Sequence, residues 1–214
     1  MSCCCPHTRD AGRYFSWFAG SYCRRFRKKG FESSQRQLLA GLEQQGFQDA
    51  TVLEIGSGVG HLHMTLLEQG AGSAVGVDLS PRMLDLARGW AAERGLADRV
   101  AYVEGDFVEK AETFEAADVT VLDKVICCYP DARALVDESL AKTRRVYAIT
   151  LPRKRWYMRV GIGFTTTVMR VIGSGFRPYL HDPAEIEAWA GAHGFEKAYE
   201  ATTLGWLTQL YVRG

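Results

Sequence analysis

The chain predicts an α/β domain, a three-layer sandwich with helices on both faces of a mostly parallel sheet. Three observations carry this. From residue 51 to residue 150, short apolar runs alternate with stretches of helical period. The first run ends in the glycine-rich turn Glu54-Ile55-Gly56-Ser57-Gly58-Val59-Gly60. The last two strand-like runs lie almost end to end, too close for a crossover, and must pair as an antiparallel hairpin.

Taken in order, residues 1–10 are polar or small and read as a disordered tail. Residues 12–29 interleave Tyr14, Phe15, Trp17, Phe18, Tyr22 and Phe26 with arginines. Residues 33–46 form an amphipathic helix that ends near Gly46, with Leu38, Leu39 and Leu42 on one face. Residues 51–55 are a short buried strand. A helix over 62–69 stops at Gly70. The second strand, 74–77, is closed by Asp78. A helix over 81–94 starts with Ser80 as N-cap and Pro81 at N1. Strands follow at 100–103, 119–122 and 145–150, with a helix at 132–141 between the last two. Such alternation implies right-handed crossovers between parallel strands. A helix over 183–192, capped by Asp182, precedes the hairpin of 195–202 and 204–212. One strand near the sheet edge is therefore reversed. Residues 153–181 break the rhythm with Trp156, Tyr157, Met158, Phe164, Met169 and Phe176 among glycines and arginines, and read as an insertion. The expected organisation is one domain over 1–214, with an N-terminal arm at 1–32.

Composition narrows the class. Hydrophobic residues make up 47% and charged residues 24%, the profile of a globular protein. Lys+Arg total 26 against 25 Asp+Glu, so bulk charge points to no nucleic-acid partner. No stretch reaches the roughly 20 apolar residues of a membrane span, and the N-terminus lacks a signal-peptide core. A cytoplasmic location is expected. The cysteines are Cys3, Cys4, Cys5, Cys23, Cys127 and Cys128. Adjacent cysteines make no secreted-type disulfide framework. Three in a row do not converge on one tetrahedral ion, so no metal is expected.

The glycine turn is where chemistry begins. Glycines let the backbone turn tightly and approach a ligand, and the following helix turns its N–H groups toward that ligand. The dinucleotide fingerprint has Gly-x-Gly-x-x-Gly. Here Gly60 comes one place early and His61 stands at the expected site. Glu54, before the turn, is a carboxylate able to hold an ammonium group, which an amino-acid cofactor carries. Asp78 ends the second strand, where a carboxylate can grip a ribose diol. Gly105-Asp106-Phe107 follows the third strand and offers a carboxylate and a ring to an adenine.

These segments, with Val75-Gly76-Val77-Asp78-Leu79-Ser80-Pro81-Arg82-Met83-Leu84 between them, resemble the class I S-adenosylmethionine-dependent methyltransferases. The resemblance covers roughly residues 35–150 and extends to the terminal hairpin. It implies a Rossmann-like fold with a seven-stranded sheet and one antiparallel strand. It implies S-adenosylmethionine as cofactor, leaving as S-adenosylhomocysteine. Gly56 and Gly58 would lie against its methionine part, beside Ser57 and Gly60. Asp78 would bind the ribose, Leu79 and Met83 would lie near the adenine, and Asp106 and Phe107 would hold its edge and face. Asp123 and Lys124 would stand by the methionine end and the acceptor.

Methyl transfer is an in-line displacement in which a protein chiefly aligns the nucleophile, and a base is needed only for a protonated acceptor. Candidates lie after the fourth strand, in Asp123-Lys124-Val125-Ile126-Cys127-Cys128-Tyr129-Pro130. Tyr129 orients an acceptor oxygen or forms an aromatic wall. Cys127 and Cys128 read as small buried cysteines. This stretch also resembles the Tyr-Pro element of magnesium-protoporphyrin O-methyltransferases, which carry a histidine where Cys128 stands. Those enzymes have a functional tyrosine that Tyr14 of Tyr14-Phe15 matches. His181 is a candidate base or a packing histidine, and His61 and His63 read as helix-turn residues. Arm and insertion together form a lid suited to a bulky planar or apolar small-molecule acceptor, with O-methylation favoured. Arg153, Arg155, Arg159, Arg170 and Arg177 suit an anionic group on that acceptor or contact with a membrane surface. The alternative is a non-catalytic, cofactor-binding regulator or scaffold. Oligomeric state is left open.

Overall fold

The computed structural model describes residues 6–214, with side chains from Thr8 onward. Cys3, Cys4 and Cys5, and the metal question attached to them, lie outside the described residues. Seven strands form one sheet: β1 (Thr51–Ile55), β2 (Ser73–Asp78), β3 (Val100–Glu104), β4 (Ala117–Asp123), β5 (Thr143–Pro152), β6 (Phe195–Thr202) and β7 (Trp206–Arg213). Their order is β3-β2-β1-β4-β5-β7-β6, and β7 alone runs against its neighbours. The fold is therefore the Rossmann-like α/β sandwich that the alternation and the hairpin predict.

Side chains on successive strand residues feed opposite layers, as a period of two requires. Val52, Val119, Val121, Val146 and Ala148 enter one core. Leu53, Ile55, Leu122, Tyr147 and Ile149 enter the other. The first core is covered by α2 (Ser33–Gln45), α3 (His61–Glu68) and α4 (Pro81–Glu93), and the second by α5 (Phe107–Lys110), α6 (Ala132–Ala141) and α8 (Pro183–Ala192). Local capping follows the sequence rules. Ser80 Oγ accepts from Met83 N at 3.1 Å with Pro81 at N1, and Asp182 accepts from Ala184 N at 3.1 Å.

Two elements differ from expectation. A 24-residue helix, α1 (Pro6–Lys29), includes residues read as a disordered tail. Its aromatics and Ala11 and Ala19 pack down on the domain, which supplies the stability that a polar start alone lacks. Residues 156–171 of the insertion form a second unanticipated helix, α7 (Trp156–Val171). Gly161 and Gly163 hid it, because glycine lowers helix propensity wherever it stands. Among the described residues, no helix is long and apolar enough to cross a membrane.

Candidate functional site

Strand order reverses between β1 and β4, and the carboxyl ends of β1, β2, β3 and β4 reach one rim. Such a switch point is where open α/β sheets bind ligands. A cavity of about 470 Å³ opens there, mostly apolar with a few convergent polar groups.

The three turn glycines serve three purposes. Gly56 has φ +67°, and a Cβ on it would lie 2.4 Å from Val125 Cγ2. Gly58, at φ +53°, donates its N–H to Asp78 Oδ2 at 2.7 Å. Gly60 caps α3, and a Cβ there would press on the His63 ring at 2.8 Å. Gly56 and Gly58 line the cavity and Gly60 does not. Asp78 also accepts from Ser80 N at 2.8 Å. Burial pushes its carboxyl up to about 6, while the Ser80 and Gly58 amides pull the other way.

Glu54 is buried on the cavity wall and tied inward. Its Oε2 accepts from His63 N at 3.2 Å and from His63 Nδ1 at 2.5 Å. A carboxylate only accepts, so the proton sits on Nδ1. The other ring nitrogen lies 3.0 Å from the Tyr102 hydroxyl. His61 is stacked 3.5 Å from Phe26 and also faces Trp90. Burial, then Arg94 and His63, lowers its pKa to about 3, which keeps it neutral.

At the end of β3, Gly105, Asp106 and Phe107 line the cavity. Asp106 caps α5 by accepting from Val108 N at 2.9 Å, and its Oδ1 accepts from the Tyr129 hydroxyl at 3.0 Å. Burial and then Asp106 raise the Tyr129 pKa, so the phenol stays protonated and donates. Leu79 and Met83 complete this end.

The end of β4 is held from outside the sheet. Gln35 of α2 is buried and donates to Asp123 Oδ2 at 2.8 Å and to the Tyr22 hydroxyl at 3.2 Å. Burial raises the Asp123 carboxyl, against Lys124 and Gln35. Lys124 has φ +61°, a left-handed backbone rare outside glycine and concentrated at functional sites. Its Nζ lies 2.6 Å from Glu32, which also pairs with Arg25 at 2.7 Å. Arm and insertion meet over the mouth, where Tyr14 stacks on Phe176 at 5.0 Å.

Every residue predicted for the cofactor lines the cavity except Gly60. Of the three candidates for catalysis, Tyr14 and Tyr129 line it. His181 is not on its wall, and its Nε2 donates to the Tyr129 carbonyl at 3.2 Å. Sequence reasoning missed Gln35 and Arg25, both on the cavity wall. Gln35 carried a readable signal, since it shares the apolar face of Leu38, Leu39 and Leu42, where a buried amide demands a partner.

The methyltransferase domain family matches residues 52–147, from the start of β1 into β5. That stretch carries the glycine turn, Asp78 and Asp106 in order. Over those residues the chain carries a methyltransferase domain, with the fold that the resemblance to the class I S-adenosylmethionine-dependent enzymes implies. The structure of magnesium protoporphyrin IX methyltransferase from Synechocystis PCC 6803 with bound S-adenosylmethionine is similar with TM-score 0.72 over 100% of both chains, at 19% identity. That likeness speaks to the fold. Ribosomal protein L11 methyltransferase of Pasteurella multocida (strain Pm70) is 40% identical over 62 residues, 29% of this chain and 21% of that protein. A mitochondrial ribosomal RNA small subunit methyltransferase of Arabidopsis thaliana is 41% identical over 59 residues, 28% of this chain and 15% of that protein. The chain spans between 15% and 50% of the length of the curated relatives it matches.

These relatives overturn the expectation that nucleic acid plays no part, because their names point to macromolecular acceptors. The physical fault in that expectation is that net charge averages over the surface. A chain with net charge +1 still presents Arg24, Arg25, Arg27, Lys28 and Lys29 together on α1.

The cavity fits S-adenosylmethionine, the molecule bound in the Synechocystis structure. Ser57 Oγ and Asp123 Oδ1 are buried polar atoms without a hydrogen-bond partner among the described residues, both on residues of its wall. At Gly58 a Cβ would meet nothing nearer than Met83 Sδ at 4.0 Å, which leaves open backbone surface for the methionine part. Asp78 and Asp106 would hold the ribose and adenine edge.

Proposed function

We propose that this methyltransferase transfers the methyl group to an oxygen on a small planar or apolar acceptor. The observation that carries the reading is the two-ended cavity. One end is the polar glycine turn with Glu54 and Asp78, and the other is an aromatic mouth of Tyr14, Phe15, Phe18 and Tyr129. When bound, S-adenosylmethionine supplies an electrophilic methyl group. The chain's own residues align the acceptor against it. Tyr14, stacked on Phe176, presents a hydroxyl that orients the acceptor oxygen, while Tyr129, whose proton goes to Asp106, forms an aromatic wall. Burial, then the neighbouring Cys128, raises the Tyr14 pKa, so Tyr14 also donates rather than abstracts. His181 stands off the cavity wall and would serve as base only by moving toward the acceptor.

A second reading has the same planar group presented by a macromolecule, as the names of the ribosomal protein and ribosomal RNA methyltransferases favour. Incubation with methyl-labelled cofactor, offering an extract's metabolites, its proteins and its RNA separately, tests both. Label in metabolites supports the first reading, and label confined to protein or RNA overturns it for the second. Tight S-adenosylhomocysteine binding with no label anywhere supports a non-catalytic regulator instead.

A further inference from the structure

Cys127 and Cys128 lie on a single 3-10 turn, Ile126–Cys128, one residue beyond Lys124. Neighbouring side chains on such a turn leave the backbone about a third of a turn apart. These two nevertheless bring their Sγ atoms to 3.8 Å. Both thiols converge on one acceptor, the Lys124 carbonyl oxygen, at 3.3 Å and 3.6 Å. That carbonyl belongs to the residue with the left-handed backbone. Tyr179 N donates to the Cys127 carbonyl at 2.7 Å, so the segment after α7 pins the turn. Cys127 is buried, while Cys128 is half-buried on the cavity wall and packs against Ala11, Met169 and Phe176.

Two thiols so placed have two outlets. A direct disulfide is unfavourable, because consecutive Cα atoms lie about 3.8 Å apart across a trans peptide, short of the roughly 4.4–6.8 Å that disulfides span. A soft atom seated between the two sulfurs avoids that strain. We propose that Cys127 and Cys128 form a dithiol site for a trivalent organoarsenical, entered from the acceptor side of the cavity. An arsine oxide, R–As=O, bonds to both sulfurs. The two thiol protons pass to its oxygen, which leaves as water, and no electron changes hands. Cys128, on the wall, attacks first. The Cys128 thiol beside it and burial hold the Cys127 thiol well above its ordinary range, so its proton leaves only as the second As–S bond forms. The inference rests on the thiol geometry and needs neither bound cofactor nor methyl transfer.

Phenylarsine oxide is the probe, used on the full chain carrying Cys3→Ser, Cys4→Ser and Cys5→Ser so that those thiols do not compete. Intact-mass measurement should find one phenylarsenic group per chain, kept in excess 2-mercaptoethanol and stripped by 2,3-dimercaptopropanol. Cys128→Ser should weaken retention by roughly 100-fold or more, the gain a second linked contact brings. Cys127→Ser should do the same where its melting curve shows a folded protein. Cys128 is half-buried, so Cys128→Ser carries the test even if Cys127→Ser does not fold. Retention unchanged in Cys128→Ser, or an adduct stripped by the monothiol, overturns the proposal.

Discussion

Asp78 accepts two backbone amides and still faces the space assigned to the ribose. Its carboxyl titrates at about 6 in the folded chain, raised chiefly by burial, and near 3.9 in an unfolded one. Between those values the folded state keeps a proton that the unfolded state has released. The stability that Asp78 contributes therefore falls as pH rises from about 4 to about 6, and is level above. Cofactor binding has the opposite sign, because ribose hydroxyls donate to the ionised carboxylate and binding expels the proton. Calorimetric affinity for S-adenosylhomocysteine should tighten by about fivefold from pH 5 to pH 6, by about tenfold by pH 7, and flatten above. Asp78→Asn should remove that slope and cost about 1.5–3 kcal/mol of binding. An unchanged affinity and slope in Asp78→Asn would reject the ribose assignment. At this scale the carboxylates at the strand ends were legible, since each ends an apolar run. The inward tie of Glu54 to His63 was not, because a helix-start histidine gives no sign of which carboxylate it meets.

Single elements depend on close approaches that one methyl group would break. Gly56→Ala meets both a left-handed backbone and Val125 at 2.4 Å. It should lower stability by about 1–3 kcal/mol, read from the melting temperature. Val125→Ala in the same chain should recover only the steric part. Gly12 of α1 packs on the end of β2, where a Cβ would lie 2.6 Å from the Leu79 carbonyl oxygen. Gly12→Val should lift α1 and weaken S-adenosylhomocysteine binding. Trypsin should then cut faster at the arginines of 24–27, and an unchanged cleavage rate would show that α1 docks without this contact. Strands and capped helices were readable because period and cap agree within each segment. The helices α1 and α7 were not, because their stability comes from tertiary packing or from faces that the local pattern does not disclose.

At the scale of the whole molecule, α1 and α7 meet beside the cavity, where Met169 packs with Ala11 and Phe176 against Tyr14. Trp156 and Phe164 on α7 are 76% and 72% exposed. Replacing either with serine should leave the melting curve within about 0.5 kcal/mol of the parent. S-adenosylhomocysteine binding should be unchanged and turnover of a planar acceptor reduced. Unchanged turnover would remove α7 from the acceptor path. The sheet order and its reversed strand were legible as a whole, because hairpin spacing and alternation leave few topologies. Which surface meets the acceptor was not, since charge totals carry no positions.

The reversed strand also sets a schedule for synthesis. β7 follows β6 in the chain yet lies between β5 and β6 in the sheet. A ribosome delivers β6 before the strand that joins it to the rest. Until residues 206–213 clear the exit tunnel, β5 and β6 each present an open backbone edge, the template for wrong pairing. The nascent chain can assemble its glycine turn early and close its sheet only once β7 emerges, so the interval before then is when a chaperone has most to protect.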